Sequence, residues 1–90
     1  MLPFEALGLS LERIEGRVGH LALGILEILM RRSPGVATRL AIAQQVWPDE
    51  ADAFGSNTID VHLARLRAKL ADVRVRIETV RGVGYRIVPR

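Results

Sequence analysis

Residues 57–88 constrain the fold of this chain more tightly than any other stretch. At about 100° per residue, Ile59, Leu63, Leu66 and Leu70 fall on one narrow stripe, the face a helix must bury. The opposite face carries Asn57, Val61, Ala64, Arg65 and Ala68. Thr58, His62 and Lys69 line one flank, and Asp60 and Arg67 the other. Asn57 is placed to cap this helix, and Asp60 stands where negative charge favours a helix N-terminus. Val75, Ile77, Thr79 and Val80, then Tyr85, Ile87 and Val88, read as two strands. They meet at Arg81-Gly82-Val83-Gly84, whose glycines supply the φ freedom of a tight turn.

Upstream, two more helices are expected. From His20 the apolar residues Leu21, Ile25, Ile28 and Leu29 recur at helical spacing until Arg31, Arg32 and Ser33-Pro34-Gly35 stop the run. Gly24 inside it costs roughly 1 kcal/mol against alanine, so a close packing neighbour is expected there. The next helix begins at Thr38, whose hydroxyl can cap it. It runs through Leu40, Ile42, Ala43 and Val46 to Trp47, and Pro48 ends it. Residues 48–56 are polar, acidic and glycine-containing, which predicts an exposed loop. Before His20, the alternation of Leu7, Leu9 and Leu11 with Gly8 and Ser10 predicts a short half-buried strand, with turns at Glu15-Gly16 and Gly19.

Ninety residues make one small domain. Its expected parts are a strand platform over 1–18, a three-helix core over 19–71 and a hairpin over 72–90. Aromatics are only 4% of the chain, so the core must be aliphatic. The expected class is α+β, and the order of strand, three helices and terminal hairpin is that of a winged helix-turn-helix. Without cysteine, disulfides, thiolate metal sites and cysteine nucleophiles are excluded. That composition suits the cytoplasm. No apolar run approaches the roughly 20 residues of a membrane span, and no signal peptide is visible.

The net charge of +3 conceals an asymmetry. Residues 1–56 hold five arginines against seven acids, and residues 57–90 hold eight bases against three acids, so the halves carry −2 and +5. A positive half on a mildly acidic domain is a positional signal. A cationic helix beside a cationic hairpin matches the grooves and phosphate ridges of duplex DNA.

Residues 58–70 together with residues 78–86 closely resemble the DNA-binding domain of OmpR/PhoB-type response regulators of bacterial two-component systems. Val46-Trp47 sits where that family ends its second helix, and the resemblance covers roughly residues 18–88. It implies sequence-specific duplex DNA binding in transcription regulation, with the third helix in the major groove and the hairpin wing, residues 79–86, at the minor groove. Residue by residue, Arg65 falls where the family places a base- or phosphate-reading arginine. Thr58, Val61 and His62 fall on DNA-facing positions, and Arg67 on one that reaches phosphate. Asn57 and Lys69 complete the helix's expected DNA-binding set. Thr79 and Arg81 match the wing, with Arg81 at the minor groove, where narrow grooves attract arginine.

A bidentate arginine–guanine pair would give Arg65 about 1–3 kcal/mol of discrimination. About five phosphate contacts would give a log–log salt slope of about −4 to −5. The resemblance also implies weak dimers on tandem half-sites, and it matches residues 48–56 to a transactivation loop. Asp49, Glu50 and Asp52 are the candidate contacts with RNA polymerase there. The chain departs from the family pattern at Val18-Gly19-His20-Leu21-Ala22, where Leu-Thr-x-x-Glu is usual, and at Ala64, which replaces a frequent arginine. Its strand platform is shorter than usual, and the 90 residues contain no phospho-acceptor receiver domain.

Other chemistries find little footing. Gly82-Val83-Gly84 is no nucleotide loop, because Ile87 stands where a third glycine would be needed. His20 and His62 lack a second ligand at helical spacing, so no metal is expected. No nucleophile lies beside a base, so neither an enzyme, a cofactor nor a small-molecule substrate is indicated. Trp47 reads as a packing residue. The alternative to DNA binding is a winged-helix interaction module for RNA polymerase or another regulator, drawn from the small exposed face of Val61, Ala64 and Ala68. Non-specific DNA coating is a third reading.

Overall fold

The computed structural model describes residues 3, 7, 8, 10–48 and 56–90, with the side chains of residues 11, 56 and 57 outside the description. The first element among the described residues is a helix, where a strand was expected. Helix α1 spans Leu11–Val18, and the Ser10 hydroxyl caps it by accepting from the Arg13 amide at 3.3 Å. Glu12 in its first turn and Arg17 in its last complement the helix dipole. Leu11 of the Leu7–Leu9–Leu11 alternation is therefore helical, and Leu9 lies outside the described residues. The spacing of Leu11, Ile14 and Val18 is helical, Ile14 is fully buried, and the expected turn at Glu15-Gly16 lies inside the helix. Gly19, at φ 85°, makes the expected break.

Helix α2, His20–Arg32, is the centre of the core. Leu23, Ile25, Leu26, Ile28, Leu29 and Met30 are all buried, a helix surrounded by packing on most sides. The neighbour expected at Gly24 is Val46, whose Cγ2 would lie 3.4 Å from an added Cβ. After α2, the buried Ser33 hydroxyl donates to the Ile87 carbonyl at 2.6 Å. Next comes a two-residue strand, β1 (Ala37–Thr38), that the sequence pattern did not reveal. Thr38 ends that strand and caps helix α3 (Arg39–Val46), accepting from the Ala41 amide at 3.1 Å.

Helix α4 spans Ser56–Lys69, so Asn57 lies inside it and not at its cap. Ile59, Leu63, Leu66 and Leu70 are buried, and the expected stripe is the one that packs. Strands β2 (Val75–Val80) and β3 (Gly84–Pro89) form the hairpin, and β1 adds to the far side of β3 in the order β1-β3-β2. All pairings are antiparallel. The result is an α+β winged-helix arrangement with four helices and three strands among the described residues.

Gly84 is fixed by the β1 pairing. It stands opposite Thr38, and a Cβ there would overlap the Ala37 carbonyl oxygen and lie 2.8 Å from the Thr38 Cα. Gly82, by contrast, has φ 77° and open space around it. We predict that Gly84→Ala destabilises the fold by at least about 2 kcal/mol through backbone overlap, whereas Gly82→Ala costs about 1 kcal/mol of left-handed strain. Urea unfolding of both variants checks this, and equal midpoints would refute the close β1–β3 approach.

Candidate nucleic-acid interface

Burial of the aliphatic stripe sets the rotation of α4, and the rotation decides which side chains reach solvent. Val61, Ala64, Arg65, Ala68 and Lys69 are exposed on it, and Thr58 and His62 are half-buried. His62 packs its ring against Trp47, with centroids 5.4 Å apart and planes tilted by 42°. Trp47 is thus a packing residue, as expected, and it also fixes the flank on which His62 lies. Asn57 sits in the first turn of the same helix.

Arg67 does something the sequence did not announce. Its Nε donates to the Ile77 carbonyl at 3.2 Å, and a terminal nitrogen donates to the Thr79 hydroxyl at 2.8 Å. Two residues expected at the DNA therefore bond to each other, joining α4 to β2. The planar guanidinium, with its forked donors, suits this two-point tie.

Two arginines of the wing strands are also paired. Glu78 lies directly across from Arg86 and accepts from it at 2.7 Å, while Arg76 reaches the other oxygen of the same carboxylate at 3.0 Å. Arg17 pairs with Asp72 at 2.8 Å and reaches the Lys69 carbonyl at the end of α4. The side chains of Arg65 and Lys69 on α4, and of Arg81 at the hairpin turn, form no hydrogen bond or ion pair with any described residue. Lys69 takes part only through its backbone carbonyl. These three cations stand on the two elements expected to meet DNA.

A polar junction holds those elements together. Asp60 pairs with Arg39 at 3.1 Å and accepts a hydrogen bond from the Tyr85 hydroxyl. The Arg39 guanidinium lies 5.4 Å from the Tyr85 ring centroid, within cation–π range. The junction links α3, α4 and β3. Sequence reading gave Asp60 only a dipole role, but no acid lies in the first turn of α4. The available signal was Tyr85, since a tyrosine buried in a strand needs a partner for its hydroxyl. The hydrogen bond from Tyr85 holds the Asp60 carboxyl below its ordinary 3.8, with Arg39 assisting against desolvation. Burial, and then the bond to Asp60, push the Tyr85 hydroxyl above its ordinary 10.0.

Asp49, Glu50 and Asp52 lie outside the described residues. Among the described residues, no group of His, Asp and Glu could hold a metal ion, and no helix is long and apolar enough to cross a membrane.

Comparison with known proteins gives a consistent answer. The profile of a family described as "Transcriptional regulatory protein, C terminal" matches residues 16–87. The sensory transduction protein RegX3 of Mycobacterium tuberculosis is 46% identical over 67 residues, covering 70% of this chain and 29% of its own length. The transcriptional regulatory protein YxdJ of Bacillus subtilis is 38% identical over 66 residues, with 70% and 28% covered. The chain thus spans less than a third of these relatives' length. Among solved structures, the DNA-binding domain of Bacillus subtilis CssR superposes with a TM-score of 0.63 at 28% identity, covering 76% of this chain and 74% of that one.

The junction gives stability a pH dependence of defined sign. Because Asp60 is depressed in the folded state, its contribution is fully present above 3.8 and is lost as pH falls through the lower folded value. Asp60→Asn removes this component, so its stability curve is flatter than wild type over the acid limb. Urea unfolding across about pH 2 to 5 tests it; parallel curves would show that Asp60 gains nothing from Tyr85 and Arg39.

Proposed function

The chain belongs to the family of transcriptional-regulatory C-terminal domains, the DNA-binding domains of OmpR/PhoB-type response regulators, and from that premise we propose how it engages duplex DNA. Its function is DNA binding in transcription regulation. In the proposed complex, α4 lies in the major groove with Thr58, Val61 and Arg65 toward base edges. Asn57, His62 and Lys69 meet the groove wall and phosphates, and Arg81 enters the adjacent minor groove. Arg67 and Thr79 act first on each other, setting the angle between helix and wing, and approach the backbone as a bonded pair.

One observation carries this reading. The side chains of Arg65, Lys69 and Arg81 are without internal partners among the described residues, while those of Arg67, Arg76 and Arg86 are bonded within the domain. Cations held in water on a rigid scaffold release counterions when they meet phosphate, and that release drives affinity. Small residues beside Arg65, namely Ala64 and Ala68, let the helix lie close to a groove floor. Val61, 47% exposed, offers an apolar contact of the kind that meets a thymine methyl.

The proposal extends to weak pairing on tandem half-sites about one helical turn apart, to contact of Asp49, Glu50 and Asp52 with RNA polymerase, and to work in the cytoplasm. It assigns the domain no catalytic role.

Selection of bound sequences from a random duplex library, wild type beside Arg65→Ala, tests the base-reading assignment. Wild type yields a repeated motif. Arg65→Ala blurs one position in it and costs about 1–3 kcal/mol on the selected site. Lys69→Ala weakens all sequences alike and lowers the magnitude of the salt slope by about 1. Failure of wild type to retain any duplex would overturn the reading, and retention without a motif would reduce it to non-specific binding.

A further inference from the structure

One apolar groove adjoins the DNA-facing side chains of α4 and shares some of them. It lies between the first turn of α2 and the C-terminal half of α4, with a volume of about 470 Å³. That falls within the roughly 300–1,000 Å³ of small-molecule sites. Leu21, Leu66, Ala68, His62, Arg65 and Lys69 are among the residues that line it. Leu21 is the anomaly. It is 45% exposed, while every other large aliphatic of α2 is buried. The DNA reading gives Leu21 no role.

The charge around the groove is one-sided. Arg65 and Lys69 have no side-chain partner among the described residues, and no carboxylate is among the residues lining it. An apolar trough of ligand size with two unneutralised cations in its lining is complementary to a small amphipathic anion. A cation would meet repulsion from Arg65 and Lys69, and a neutral apolar molecule would leave them unused.

We propose that this groove binds a small amphipathic organic anion of the medium-chain carboxylate class. Its hydrocarbon lies along Leu21, Leu66 and Ala68, and its carboxylate sits on Arg65 and Lys69. The proposal rests partly on the DNA reading: if the same cations meet DNA, anion and duplex exclude one another. The groove then acts as an input that releases the domain from its site.

The probe is decanoate, kept below its micelle concentration and titrated calorimetrically into the 90-residue chain, with decyltrimethylammonium as the oppositely charged control. Saturable one-to-one binding of decanoate alone is expected. Leu21→Ser, a change at an exposed position, weakens it about tenfold. Leu40→Ser, at a leucine 52% exposed and outside the groove, leaves it unchanged. No saturable binding, equal binding of the cationic control, or indifference to Leu21→Ser would each overturn the proposal. So would a concentration-dependent dimer abolished by Leu21→Ser in sedimentation, which would assign the groove to a second copy. A fluorescent duplex carrying the selected motif separates the two readings. Displacement by decanoate supports shared cations, and simultaneous binding refutes them. Decanoate binding by a chain that retains no duplex upholds the groove and removes the DNA reading alone.

Discussion

The rotation of α4 about its own axis is the constraint on which the rest of this domain depends. Ile59, Leu63, Leu66 and Leu70 have one apolar region to enter, the single core cluster they share with Ile14 of α1, the buried face of α2, Ile42 of α3 and Ile87 of β3. Each buried leucine or isoleucine contributes about 1.5–3 kcal/mol, so a turn of the helix that exposed even two of them would cost a large part of a small domain's stability. Fixing that face fixes the opposite one. Arg65 projects outward because the leucines beside it must point in. The helix's presentation to a partner follows from core packing.

Charge is then divided within the fold. Asp72, Asp60 and Glu78 are the three acids of the basic half, and each is paired with arginine: Arg17, Arg39, and Arg76 with Arg86. Exposed pairs of this kind are worth little singly. Their effect here is positional, because each ties a different element to its neighbour. Asp60 contributes most in this sense, being the point where α3, α4 and β3 meet under Tyr85. Carboxylates used this way hold the scaffold arginines and leave Arg65, Lys69 and Arg81 facing water.

What was legible in the sequence was what period and punctuation encode. The α2 run ended at Ser33-Pro34-Gly35, Thr38 capped α3, and the glycine-bearing turn joined two strands, all close to their expected places. The first helix was misread because Leu7, Leu9 and Leu11 alternate by chance over too short a window, while Ser10 and the Leu11–Ile14–Val18 spacing carried the correct signal. Strand β1 was invisible because two residues have no period, and they form a strand only because β3 lies beside them. The Arg67–Thr79 bond and the Asp60 junction were hidden for a different reason. Both join residues far apart in sequence, and an arginine destined for a carbonyl reads the same as one destined for phosphate.

A two-stranded ribbon is marginal in water, so the wing needs support beyond its own pairing. Three kinds of support are present. Tyr85 and Ile87 place β3 in the core, β1 closes one edge of β3, and Arg67 bonds β2 to α4 across the other side. Gly84 sits where β1 and β3 come closest, and a side chain there would part them. With those ties made, helix and wing are joined through both the core and the Arg67 bonds, and the offset between Arg65 and Arg81 follows from that packing. Under the DNA reading proposed above, a partner that touches both cations would have to match that offset. Such preorganisation removes an ordering cost from binding and restricts the surfaces that both cations can touch together.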